Sequence, residues 1–139
     1  MAKPAVFVDT SYIYAVINPN DQWHAKAVEW QTKVVADDSF LITTQFVLAE
    51  IADGLSAVRY RRSAIDVVRS LIVNPKVEVA DASADLFYQG LDLYESRPDK
   101  NWGLTDCFSF VTMRTNGVTD ALTTDDHFRQ AGFNALLLD

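Results

Sequence analysis

Short apolar runs alternate along this sequence with longer segments in which apolar residues recur at helical spacing. Residues 5–8 (Ala-Val-Phe-Val) are apolar and β-rich, and Asp9 ends them, the pattern of a buried strand. Thr10 or Ser11 can cap a predicted helix over residues 12–17, which Asn18, Pro19, Asn20 and Asp21 stop. A longer amphipathic helix is predicted over residues 22–36, a second strand over 40–43, and two helices over 46–58 and 62–73. Residues 77–80 read as a third strand, and Asp81, Ala82 and Ser83 as the cap of a helix running to Glu95. After a polar loop at 97–103, the helix predicted over 104–115 is apolar nearly all round, with Phe108, Phe110, Val111 and Met113. Such a helix packs against a sheet. A fourth strand over 120–124, a short helix over 127–130 and a last strand over 135–138 complete the reading.

Strands this short and apolar, alternating with helices, predict an α/β three-layer sandwich with a mainly parallel central sheet. No internal repeat or linker-like stretch interrupts residues 1–139, so a single domain is expected. Right-handed crossovers bring the C-terminal ends of parallel strands to one edge, and ligands bind where strand order reverses. The question is then which side chains the sequence delivers to that edge.

Composition narrows the chemistry. The chain has 139 residues, 49% of them hydrophobic and 22% charged, which fits a folded domain rather than disorder. Cys107 is the single cysteine, so neither an intrachain disulfide nor a multi-cysteine zinc site can form. With only His24 and His127, a His-rich metal site is excluded too. The apolar run after Lys3 and Pro4 is too short for a signal peptide, and no stretch approaches a membrane span. The expected location is the cytoplasm. Net charge is −7, and it falls wholly within residues 77–139, the first 76 residues being balanced. An acidic chain is a poor non-specific binder of nucleic acid unless a cation reverses the local sign.

Acids from four regions of the sequence map to the predicted ligand edge. Asp9 ends the first strand, Asp125 and Asp126 follow the fourth, Asp106 lies in the first turn of the apolar helix, and Glu50 lies early in the helix after the second strand. Each also has an ordinary structural reading. Asp9 can cap a helix, Asp106 can complement a helix dipole, Glu50 can be an exposed helix residue, and one of Asp125 and Asp126 can cap the short helix. Glu50, however, falls about 60° outside the stripe of Val47, Leu48, Ile51, Leu55 and Val58, at the expected core boundary. A like-charge pair at ~5 Å and an effective dielectric near 20 costs about 3 kcal/mol, so acids gathered at one edge call for a shared cation. Hard cations such as Mg²⁺ or Mn²⁺ choose oxygen ligands, and with phosphate they support metal-assisted phosphodiester hydrolysis.

Asp9-Thr10-Ser11 after the opening strand, Glu50 in a helix, Leu104-Thr105-Asp106-Cys107, and Thr123-Thr124-Asp125-Asp126-His127-Phe128 resemble a PIN-domain protein. More closely, the chain is similar to the VapC-type ribonuclease toxins of bacterial and archaeal toxin–antitoxin pairs, over its whole length including Ala131-Gly132-Phe133. The resemblance implies a Mg²⁺- or Mn²⁺-dependent endoribonuclease acting on RNA. Asp9, Glu50, Asp106 and Asp125 would form the acidic quartet, with Asp9 and Asp106 the most direct ligands. Thr123 would orient that shell, and Thr10 and Asp126 would support it, Asp125 rather than Asp126 being the fourth acid. It also implies a homodimer and a small antitoxin whose basic arm can enter the carboxylates. Arg59, Arg61 and Arg62, with Arg69 beyond them, are candidates for guiding an RNA backbone or simply a solvated helix face. Trp23, Trp30 and Trp102 are open between core, antitoxin groove and base stacking.

Other readings fit less well. A non-catalytic RNA- or protein-binding scaffold keeps the fold with idle acids. A receiver-like phosphoacceptor domain wants an acidic pair near the first strand and a lysine after the last, whereas Thr10 follows Asp9 and only Asp139 follows Leu138. A haloacid-type phosphatase wants Asp-x-Asp, and Ser11 stands in the third place. The five glycines are too dispersed for a nucleotide-binding loop.

Overall fold

The computed structural model describes residues 5–139; Lys3 and Pro4 lie outside the described residues, with the rest of residues 1–4. The predicted alternation is realised as β1 (Val6–Val8), α1 (Thr10–Ile17), α2 (His24–Ala36), β2 (Leu41–Thr44), α3 (Gln45–Gly54) and α4 (Val58–Val73). The second part of the chain adds β3 (Val77–Ala80), α5 (Ala84–Ser96), α6 (Leu104–Thr115), β4 (Asp120–Leu122), α7 (Asp126–Gln130) and β5 (Asn134–Ala135). The strands form one sheet in the order β3-β2-β1-β4-β5, and every pairing is parallel. The chain thus winds outward from β1 to β3, returns across the sheet through α5 and α6, and continues from β4 to β5. Because parallel crossovers are right-handed, reversing direction moves the connecting helices to the opposite face. The reversal point lies between β1 and β4, where Phe7 pairs with Ala121 and Val8 with Leu122. That is the crevice position of doubly wound sheets.

The core fills both faces of the short strands. Phe7, Val8, Ile42, Ala121 and Leu122 are buried from the sheet, and Ile13, Val47, Ile51, Phe110, Met113 and Phe128 close over them. The α6 pattern holds as expected, with Cys107, Phe108, Phe110 and Met113 buried and Val111 half-buried. The Phe108 ring stacks on Phe46 at 4.1 Å between centroids and meets Phe87 at 5.5 Å, which fixes the first half of α6 against α3 and α5. Trp102 is core: it is buried, meets Phe110 edge-on, and donates its indole N–H to Gln130 Oε1 at 3.1 Å. Trp23 and Trp30 are half-buried against the same core. Among the described residues no helix is long and apolar enough to cross a membrane.

Several boundaries differ from the sequence reading, each for a local reason. The third helix ends at Gly54 rather than Val58, and the fourth begins at Val58 rather than Arg62. Thr44 caps α3 by accepting the Val47 N–H at 3.1 Å. Gly54 closes it at a point where an added Cβ would lie 1.7 Å from Tyr14 Oη, so a larger residue would displace the Tyr14 ring. The fourth strand stops at Leu122 because the next donors are taken by side chains: Thr124 N–H goes to Ser11 Oγ and Asp125 N–H to Thr123 Oγ1. The last strand is confined to Asn134–Ala135, and residues 136–138 turn instead of extending. Leu137 is nevertheless fully buried, since an apolar run signals burial and not the shape of the backbone that achieves it.

Candidate functional site

Asp9 stands directly after β1, in the N-cap position of α1, yet its side chain makes no capping bond. Its Oδ2 instead accepts two hydroxyls, from Thr123 at 2.7 Å and Ser11 at 2.8 Å. These come from the end of β4 and from α1, so the carboxylate fastens the two strands at the reversal point. It is 7% exposed. Burial pushes the Asp9 carboxyl up to about 6; the two hydroxyl donors oppose this, and the negative charges of Asp106 and Glu50 add to it. The simple capping reading of Asp9 does not describe this environment.

Asp106 and Asp125 do cap, and they also face each other. Asp106, in the first turn of α6, reaches back so that its Oδ2 accepts the Gly103 N–H at 3.0 Å. Asp125 is the N-cap of α7 and accepts the His127 N–H on Oδ1 at 2.9 Å. His127 Nδ1 then lies 3.1 Å from Asp106 Oδ2 and 3.4 Å from Asp125 Oδ1. Asp106 is raised above the ordinary carboxyl value by burial and by the charge of Asp125, against the stabilising pull of the Gly103 amide and of His127. Ligand atoms of Asp106, Asp125 and His127 all lie within 4.8 Å of one another, a spacing suited to one cation.

Glu50 closes the site on the solvent side. It is exposed rather than half-buried as its helical position suggested. The buried stripe of α3 narrows to Val47, Leu48 and Ile51, which leaves Glu50 beyond its edge. Its Oε1 accepts the hydroxyl of buried Thr10 at 2.5 Å. Asp9 and Glu50 fall outside the tight Asp106–Asp125–His127 spacing, though both charges are close enough to act on each other. Asp126 points elsewhere: it is exposed, 3.9 Å from Arg129 Nη1, and accepts from Gln130 Nε2 at 3.2 Å. Of the arginine candidates, Arg61 donates to Ser56 O at 2.8 Å and Arg62 is paired with Asp66 at 2.7 Å, while Arg59 lies over the Tyr60 ring.

Two residues of the quoted motifs carry no assigned role in the sequence reading. Ser11 bonds Asp9, Thr124 and Thr123 together, the last at 3.2 Å. The His127 ring stands between two carboxylates. The available signal was spacing: each lies two residues after a strand-end aspartate, inside the first turn that the aspartate opens.

The acids, hydroxyls and imidazole together form a negative, partly buried cluster whose donor set suits a hard or borderline divalent cation. Known proteins resemble this chain in sequence and fold. The 23S rRNA-specific endonuclease VapC20 of Mycobacterium tuberculosis is 29% identical over 129 residues, which cover 92% of this chain and 95% of that protein. The crystal structure of VapC20, a sarcin–ricin loop cleaving toxin, matches with a TM-score of 0.81 at 26% identity, over 94% of this chain and 98% of that one. VapBC2 from Rickettsia felis, solved with a DNA fragment from its promoter, shares the fold at a TM-score of 0.63 and 16% identity, over 91% and 92% of the two chains. Residues 6–134 match the family model of the PIN domain, which takes in the whole sheet up to the first residue of β5 and all four strand-edge acids, and the chain therefore belongs to the PIN domain family.

Proposed function

We propose that this protein is a divalent-metal-dependent endoribonuclease, the toxin of a type II toxin–antitoxin pair, with Asp9, Glu50, Asp106 and Asp125 as its working acids. The observation that supports the reading is the close approach of Asp106 and Asp125 at the sheet's reversal point, beside a buried Asp9 that feels the charges of Asp106 and Glu50. Nothing in the fold of a structural scaffold requires that cost. Asp106, Asp125 and His127 would hold the cation with Asp9 beside them, and Mg²⁺ or Mn²⁺ suits their oxygen-rich set. When bound, such an ion supplies Lewis acidity and cancels the charge of an incoming phosphate.

The chain's own groups do the rest. Thr123 and Ser11 hold Asp9 by its Oδ2. Thr10 orients Glu50, the most exposed carboxylate of the four, where it can take a proton from an attacking water. Before a cation binds, His127 Nδ1 stands between the facing oxygens of Asp106 and Asp125. VapC20 is described as acting on 23S rRNA, and an RNA substrate is the natural extension to this relative. A cognate antitoxin with a basic arm would silence the site by placing a guanidinium among the acids, and assembly as a homodimer in the cytoplasm completes the proposal. Incubating the purified chain with mixed RNA and Mn²⁺ tests it. Fragments with Mn²⁺ and intact RNA with EDTA are expected; intact RNA in both, from protein free of any bound partner, would favour the scaffold reading.

A further inference from the structure

Next to Glu50 the surface opens into a cleft of about 660 Å³ between the end of α1, the loop before α2, and the α3–α4 connection. That volume lies within the ~300–1,000 Å³ of small-ligand sites. The walls are Tyr14, Asn18, Asn20, Gly54 and Tyr60. Tyr14 is held in place: its hydroxyl donates to Glu50 O at 2.8 Å, and the missing Cβ of Gly54 makes room for its ring. Tyr14 therefore ties the cleft to the α3 backbone at Glu50. Tyr60 is 43% exposed, and the Arg59 guanidinium lies 4.6 Å from its ring centroid.

We infer that this cleft is a nucleobase site for a nucleotide flanking the scissile phosphate, an inference that rests on the ribonuclease reading. Three features of the cleft favour RNA over a protein side chain. An exposed aromatic ring already layered with a guanidinium is the platform on which unpaired bases stack. Asn18 and Asn20 carry amide NH₂ groups, and Asn20 an amide oxygen, with no protein partner among the described residues; the Asn18 oxygen accepts the Asn20 N–H at 3.0 Å. Such free amides suit the donor and acceptor edge of a base. Arg59 makes no ion pair among the described residues, unlike Arg62, so one cation stands ready for the phosphate of the same nucleotide.

A single-stranded RNA spanning a mapped cut site separates the outcomes, with KM and kcat measured for wild type, Tyr60→Ala, Tyr60→Phe and Asn20→Ala in Mn²⁺. The Mn²⁺-induced shift in melting temperature reports the integrity of the acid site in each. Tyr60→Ala should raise KM about tenfold or more, the scale of losing one base–aromatic stack, with kcat and the Mn²⁺ shift near wild type. Tyr60→Phe should keep the wild-type KM. Asn20→Ala, in an exposed loop, should relax base preference at one position beside the cut. Wild-type cleavage with unchanged KM in Tyr60→Ala, or equal losses in Tyr60→Phe and Tyr60→Ala, overturns the base site while leaving the nuclease reading intact. A wild type that cuts no RNA overturns both.

Discussion

Thr123 and Asp9, 114 positions apart in the chain, share a 2.7 Å hydrogen bond from Thr123 Oγ1 to Asp9 Oδ2. The same Thr123 oxygen accepts the Asp125 N–H at 3.0 Å, so one buried hydroxyl orients two of the four acids. Replacing it with the isosteric Thr123→Val strips a donor from a buried carboxylate and orphans an amide. Each unmet group costs roughly 1–3 kcal/mol. Urea denaturation should show a loss of at least about 2 kcal/mol, with RNA cleavage reduced at least tenfold. Thr123→Ser should recover most of both; a valine variant as stable and active as wild type would remove Thr123 from the site.

A raised carboxyl has a definite sign in the stability of the metal-free protein. Below pH 4 Asp9 is protonated folded or unfolded, and well above pH 6 it is ionised in both. Between those limits the folded state keeps a proton that the unfolded chain has lost. The contribution of Asp9 to stability therefore falls as pH rises from about 4 to about 6, by up to about 3 kcal/mol. Asp9→Asn should lose that dependence and, in EDTA at pH 7, melt several degrees above wild type while cutting no RNA. A variant less stable than wild type at pH 7 would show that the hydroxyl bonds outweigh burial.

The class of fold was readable because strands and helices differ in apolar period, and α6 and β3 were placed residue for residue. Strand order was not, since pairing between β1 and β4 joins segments more than a hundred residues apart and depends on crossover direction. The places of the acids near strand ends and helix starts were legible too. Their surroundings were not: the bonds from Ser11 and Thr123 to Asp9, and from His127 to Asp106, depend on side-chain directions that only the assembled sheet determines. The exposure of Glu50 was misjudged for a similar reason, because a helical wheel gives the angle of a residue but not the extent of what packs against it.

Adjacent aspartates offer an internal control. Asp125 faces Asp106 and caps α7, whereas Asp126 is exposed on the outer side of that helix. Asn caps helices as well as Asp does, so Asp125→Asn removes the charge and keeps the cap. It should melt within a few degrees of wild type and lose RNA cleavage by at least about a hundredfold, the scale of a misplaced catalytic group. Asp126→Asn should retain at least half of wild-type cleavage. Equal losses in the two variants would show that the fourth acid is not confined to Asp125.

Asp106 makes the metal itself testable through stability alone. Its carboxyl is raised by burial and by Asp125, so in EDTA the neutral Asp106→Asn, whose amide oxygen can still accept the Gly103 N–H, should melt above wild type. Divalent cation reverses the order. An ion at a hundred times its Kd stabilises the folded state by about 2.7 kcal/mol, on the order of 10 °C for a chain of this size. Titrating Mn²⁺ should therefore raise the wild-type melting temperature through that of Asp106→Asn, which should stay nearly flat. The crossing is diagnostic, because general salt screening would move both proteins together and a purely structural Asp106 would leave the variant below wild type throughout. Parallel curves would mean that the acids at this edge hold no ion.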